Sequence, residues 1–245
     1  MTPAPSPALP VEIAVQGPAG ARIAFAEGAD RIELCQALDV GGLTPSAGTV
    51  ECVLAELGDG HAVAPLVRPR GGGFVYDDDE SAVVAADIRH LVSLGVGAVV
   101  VGCLTAAGTI DRTRLAEWTD AAAGADVVFH RAIDTVADPA AAIDVLIECG
   151  VARVLTSGGA GRSIDGTSVL AELVVRAGGR LQIMAGGGVR VVDIAALRAA
   201  GVDAVHLSAR ARSGDRSPSG PGGGADGHDV TDPAIVRAAV AAARA

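Results

Sequence analysis

The chain has 245 residues, half of them hydrophobic and only 2% aromatic, with 29 acidic against 19 basic residues and a formal net charge of -10. That acidity excludes nucleic acid and anionic membrane surfaces as natural partners, since both select basic proteins, and no apolar run reaches the roughly 18 residues a membrane span requires. A core with so few aromatics must be built from Val, Leu, Ile and Ala, and the cysteines (Cys35, Cys52, Cys103, Cys149) lack CxxC spacing, which suggests reduced thiols in a cytoplasmic location rather than a disulfide framework or structural zinc.

Taken in chain order, residues 1–10, with Pro3, Pro5, Pro7 and Pro10, have neither the basic start nor the apolar segment of a signal peptide and are expected to form a disordered leader. Eight short Val/Ile/Leu-rich runs follow, at 11–15, 31–35, 64–68, 98–102, 127–131, 153–157, 181–185 and 204–208, each ending in polar or glycine residues ahead of an Ala-rich stretch of helical length. Strands alternating with helices imply a parallel sheet buried on both faces, and eight such units predict one α/β domain over 11–245, a closed (β/α)8 TIM barrel. Helix starts are marked by Thr44 as an N-cap with Pro45 at the first helical position, by Asp138-Pro139, and by Thr231-Asp232-Pro233. Gly28, Gly58, Gly95, Gly150, Gly178 and Gly201 stand where helices should stop. Only 213–227 breaks the rhythm: its Ser/Pro/Gly composition is that of a flexible insertion after the eighth strand, or of a lid.

Active sites of this fold lie at the carboxyl ends of the strands. Side chains two apart in a strand share a face, so Glu12 goes with Ala14, Glu33 with Cys35, Arg68 with Arg70, His130 with Ala132 and Asp134, and His206 with Ser208. If those faces point inward, Glu12, Glu33, Arg68, Arg70 and His130 converge at one mouth. The charges would then either staple the mouth as an ion network, with Glu12 and Glu33 neutralising Arg68 and Arg70, or form a site. In a site, Glu12, Glu33, His130 and Asp134 are the acid–base candidates, while Arg68, Arg70 and Arg131 hold a carboxylate or phosphate of a small anionic metabolite. Further anion contacts are expected from Thr156 and Ser157 after strand six, Gly187 and Gly188 after strand seven, and His206, Ser208 and Arg210 at strand eight. A metal reading competes: Cys35 with His130 or His206 supplies ligands that suit copper or zinc.

Six segments, Ala29-Asp30-Arg31-Ile32-Glu33-Leu34-Cys35, Gly41-Gly42-Leu43-Thr44-Pro45-Ser46, Arg68-Pro69-Arg70-Gly71-Gly72, Phe129-His130-Arg131-Ala132-Ile133-Asp134, Arg153-Val154-Leu155-Thr156-Ser157-Gly158 and His206-Leu207-Ser208-Ala209-Arg210, resemble the CutC family, known as copper homeostasis proteins. The resemblance runs from about Val11 to Arg212. It implies a (β/α)8 barrel, a cytoplasmic location, self-association with a dimer favoured, and a link to copper through Cu(I). Many relatives carry a cysteine two residues after the glutamate of strand one; here that place is Ala14, which leaves Cys35 alone as a thiolate ligand. Three functions remain open at this point: copper binding, an acid–base lyase or isomerase without copper, and a metabolite-binding scaffold without catalysis.

Overall fold

A computed structural model describes residues 8–214 and 227–245. Eight βα units follow one another as expected: β1 (Val11–Val15), α1 (Pro18–Ala26), β2 (Arg31–Leu34), α2 (Ala47–Leu57), β3 (Val63–Pro65), α3 (Asp78–Ser93), β4 (Ala98–Val101), α4 (Arg112–Ala121), β5 (Asp126–Phe129), α5 (Pro139–Glu148), β6 (Arg153–Thr156), α6 (Thr167–Ala177), β7 (Gln182–Ala185), α7 (Ile194–Ala199), β8 (Ala204–Leu207), and α8 (Pro233–Arg244) after a ribbon made of β9 (Arg210–Arg212) and β10 (Asp229–Thr231). The sheet runs β3-β2-β1-β8-β7-β6-β5-β4 with parallel neighbours, and the bridge between Leu66 and Val100 closes it into a barrel. No helix among the described residues is long and apolar enough to cross a membrane.

Strand parity divides the core into two shells. Ile13, Ile32, Val99, Phe129, Val154, Ile183 and Val205 face outward beneath the helices. The bore holds Cys35, Ala64, Leu66, Ala98, Val100, Val128, Leu155, Met184 and Ala204. On β1, β2 and β8 the inward set is ionic instead, with Glu12, Glu33 and His206 replacing the branched apolar residues that usually fill a barrel. Small inward alanines elsewhere leave room above them.

Several boundaries differ from the sequence reading. Residues 1–7 of the expected leader lie outside the described residues, but Leu9 is buried and its N–H donates to the Ala243 carbonyl at 3.1 Å, which fastens the stretch before β1 to α8. The third strand spans only Val63–Pro65, although the Leu66 N–H still donates to the Leu34 carbonyl at 2.9 Å and the Val67 N–H to the Val100 carbonyl at 2.8 Å. The cap of α2 is Ser46, whose hydroxyl accepts from the Thr49 N–H at 3.2 Å; Thr44, read as that cap, is bound elsewhere. Asp138 and Asp232 do cap α5 and α8. Of the 213–227 insertion, 215–226 fall outside the described residues, and the antiparallel β9–β10 ribbon on either side of them was not foreseen.

Candidate functional site

The carboxyl ends of the strands surround a cavity of about 360 Å³, lined by Ala14, Glu33, Leu66, Arg68, Phe74, His130, Arg131, Leu155, His206 and Ser208 among others. Strand parity thus brings Glu33, His206 and Ser208 to one mouth, and Arg68 and His130 reach it from the residues just past β3 and β5. Glu12 lies one layer deeper on β1 and is fully buried.

Beneath the mouth runs an ionic ladder. Glu12 Oε2 sits 3.3 Å from Arg31 Nε and 3.8 Å from Arg153 Nη1, while its Oε1 lies 2.9 Å from His206 Nδ1. Above, Glu33 Oε2 is 3.8 Å from the same imidazole nitrogen. Burial alone would push the Glu12 carboxyl up, but the His206 hydrogen bond and the charges of His206, Arg31 and Arg153 outweigh it and hold the group below its ordinary value. For His206 burial works downward, yet the bond to Glu12 and the charges of Glu33 and Glu12 keep it above the usual histidine range. Among the described residues no arginine pairs with Glu33. Burial, reinforced by Glu12 and only partly countered by His206, raises its pKa to about 7.

Arg68 is held by main chain rather than by acid. Its Nη1 donates to the carbonyls of Val40 and Gly42 at 3.1 and 3.2 Å, and its Nη2 to Gly72 at 2.6 Å. Thr44 fixes its backbone, accepting from the Arg68 N–H at 2.9 Å and donating to the Arg68 carbonyl at 3.1 Å. The guanidinium carbon stands 5.1 Å from the centre of the Phe74 ring, whose own centre is 4.8 Å from that of His130. His130 Nδ1 accepts from the Ala132 N–H at 3.1 Å, so the ring is neutral with its proton on Nε2; burial and the Arg68 charge push its pKa down to about 3. Gly102 makes space for this ring, since a Cβ there would meet His130 atoms at 2.2 Å. Neither Gly102, Phe74 nor Thr44 was marked as functional in the sequence. Nor were Arg31 and Arg153, although parity with Glu33 and Leu155 places both inside the barrel.

Three of the lining residues each carry a buried polar atom, Glu33 Oε2, Arg68 Nε and His130 Nε2, with no hydrogen-bond partner among the described residues. Unmet buried groups are costly and uncommon.

Other expected site residues have structural duties. Arg70 turns away from the mouth to α3, where it pairs with Glu80 and lies over the Tyr76 ring, because the chain bends at Pro69-Arg70. Parity also fails after Phe129, where Arg131–Thr135 form a 3-10 turn. Asp134 is spent as an acceptor: it takes hydrogen bonds from Arg131 Nε at 2.7 Å, Thr156 Oγ1 at 2.6 Å and the N–H groups of Ser157 and Gly159 at 3.0 and 3.3 Å. Thr156 and Ser157 are thereby turned into this latch and away from the cavity. Arg210 pairs with Asp229 at 2.8 Å on the ribbon, in a groove that adjoins the mouth through Ala14, Leu38 and Ser208, and is not among the residues lining the main cavity. The expected staple also takes a different form, because Glu12 is neutralised by Arg31 and Arg153, Arg70 by Glu80, and no ion pair joins Glu33 to Arg68 among the described residues.

Copper fits these residues poorly. Cys35 is fully buried in the apolar bore, 3.8 Å from the Val15 carbonyl, and burial with the Glu33 charge pushes its thiol well above the ordinary value. Among the described residues, the side chains close enough to share an ion are Glu12, Glu33 and His206, an oxygen and nitrogen set rather than the thiolates that Cu(I) prefers.

The fold and the mouth together define a (β/α)8 barrel with an ionisable cavity at the carboxyl ends of its strands. The CutC family model matches residues 9–211, and the chain belongs to that family. A CutC family protein of Mesorhizobium japonicum is 43% identical over 96% of this chain and 94% of its own length. Another, of Xylella fastidiosa, is 41% identical over 82% of this chain and 74% of its own. A crystal structure of CutC from Streptococcus agalactiae, described as a candidate copper homeostasis protein, superposes with a TM-score of 0.76 at 32% identity, covering 82% of this chain and 98% of that one.

Proposed function

We propose that the barrel mouth binds a small anionic metabolite and exchanges a proton with it through Glu33. The observation that carries this reading is Arg68: a cation 6% exposed, with carbonyl partners but no carboxylate among the described residues, and with a free Nε–H beside the cavity. A buried charge without a counter-ion is unfavourable, and an incoming anion supplies what it lacks.

The chemistry follows from the three unmet atoms. As a carboxylate, Glu33 accepts a proton from a carbon next to a carbonyl. The C–H electron pair moves onto the carbonyl oxygen, where Arg68 Nε–H and neutral His130 Nε2–H donate to the developing charge. Glu33 then returns the proton to a neighbouring atom, which gives an isomer with no net change in charge. A pKa of about 7 suits a group that must both take and give a proton near neutrality.

Melting temperatures of the purified protein with a panel of small carboxylates test the binding step. Native protein should be stabilised by at least one anion, and Arg68→Met should abolish that shift. Solvent deuterium entering the bound compound, followed by NMR, tests the proton step, and Glu33→Gln should stop the exchange while leaving binding intact. Binding that survives Arg68→Met undiminished would overturn the reading.

A further inference from the structure

Next to the mouth lies a smaller cup of about 190 Å³, lined by Gly187, Gly188, Val189 and Ser208 together with Arg131, Leu155, Leu207 and His206. It and the main cavity share Arg131, Leu155, His206 and Ser208, so the two are continuous. We infer that this cup is a phosphate subsite, and that the metabolite is a short phosphomonoester whose phosphate sits on Gly187, Gly188 and Arg131 while its other end reaches Glu33 and Arg68. The inference rests on the proposed anion site and adds the chemical class of its ligand.

Backbone direction supports it. The Gly187 carbonyl accepts from Ser163 N–H at 2.9 Å and from Ser163 Oγ at 3.1 Å, and the Gly188 carbonyl from Arg162 Nε at 3.5 Å. In a planar trans peptide the following N–H points opposite to the carbonyl, so the N–H groups of Gly188 and Val189 point away from the Ser163 and Arg162 side. Among the described residues the N–H groups of Gly187, Gly188 and Val189 have no protein acceptor. Adjacent free N–H groups form the kind of concavity that holds phosphate. Two positive φ angles, 106° at Gly187 and 62° at Gly188, produce the turn, and a Cβ on Gly187 would meet the Arg131 guanidinium carbon at 2.8 Å.

Charge agrees with geometry. The lining holds Arg131 and His206 and no carboxylate. Asp134 takes only Nε of Arg131, at 2.7 Å, and the guanidinium, whose side chain is 42% exposed, lines the cup. His206 uses Nδ1 on Glu12, which leaves Nε2 for a ligand. The volumes set the scale: the cup takes a phosphate-sized group, and the main cavity takes a chain of a few carbons.

Three probes separate this inference from the reading it rests on. Inorganic phosphate occupies the cup alone, glycolate the mouth alone, and 2-phosphoglycolate both. In amide NMR spectra of the native protein, phosphate should shift Gly187, Gly188 and Val189. By calorimetry, Arg131→Met and the milder Ser208→Ala should weaken phosphate at least tenfold and severalfold, respectively, whereas Arg68→Met should change phosphate less than twofold yet weaken 2-phosphoglycolate tenfold or more. Phosphate that leaves those three amides unmoved, or binds Arg131→Met as well as native protein, overturns the phosphate subsite. If glycolate still binds in an Arg68-dependent way in that case, the anion site at the mouth stands without it. If none of the three probes binds, both fall.

Discussion

At the scale of single residues, the mouth is governed by which groups hold protons. Glu33 titrates at about 7 in the fold against 4.5 ordinarily, so between those values the folded protein binds a proton that the unfolded chain does not. Its contribution to stability is therefore full below about pH 4.5 and is lost as pH rises toward 7. Glu33→Gln should raise stability by on the order of 1–3 kcal/mol at pH 8 and leave it unchanged near pH 4. Urea unfolding across that range checks this, and a constant difference at every pH would show that Glu33 does not titrate as described. His130 has the opposite dependence, because its folded pKa near 3 lies below the ordinary 6.5, so its neutral ring costs stability progressively as pH falls through that window. Ala14 bears on copper. The native chain should bind Cu(I) weakly in a competition titration, and Ala14→Cys should tighten binding by placing a thiol on the cavity wall. Tight one-to-one binding that disappears in Cys35→Ser would instead restore the metal reading. Residue types and strand ends were enough to pick out Glu33, Arg68, His130 and His206. Their partners were not legible, because Arg31 and Arg153 stand at the starts of strands, where a charge reads as solvent-facing, and the carbonyls that hold Arg68 come from loops without a pattern.

At the scale of elements, two latches set the geometry of the mouth. Thr44 acts as a strand partner for Arg68, with its hydroxyl bonded to both main-chain groups of that residue. Thr44→Val should cost about 1–2 kcal/mol in stability and weaken anion binding, read together by denaturation and calorimetry; an unchanged affinity would show that Arg68 is placed by its carbonyl partners alone. Asp134 ties the turn after β5 to the loop after β6. Asp134→Ala strands the donors of Thr156, Ser157 and Gly159, and a loss of roughly 2–4 kcal/mol is expected from urea unfolding. A loss below 1 kcal/mol would mean that water satisfies those donors. The sequence indicated the element order and the caps at Asp138 and Asp232, since these depend on local chemistry. It misplaced Arg70 and Asp134 because period-two reasoning holds only while the chain is extended, and the bend at Pro69-Arg70 and the 3-10 turn at Arg131–Thr135 end that regime.

At the scale of the molecule, the barrel was visible as eight repeats of one rhythm, and its closure through Leu66 and Val100 needed no special residue. The distribution of charge inside it was not visible, because a bore that is apolar on one side and ionic on the other depends on which strands become neighbours across the ring. The ribbon after β8 was also hidden, being three residues on each side with no alternation to betray it. Its effect reaches beyond the mouth. Arg212 and Asp229 are cross-strand partners, and the Ser213 N–H donates to the His228 carbonyl at 2.8 Å, so the chain leaves and re-enters the barrel at two points held side by side. Lengthening a connection between fixed anchors adds only about 0.6 kcal/mol of closure entropy per doubling. The barrel is thus insulated from whatever is spliced between those anchors: a fluorescent domain with adjacent termini, inserted there, would ride on an unchanged scaffold and mark the protein without disturbing its mouth.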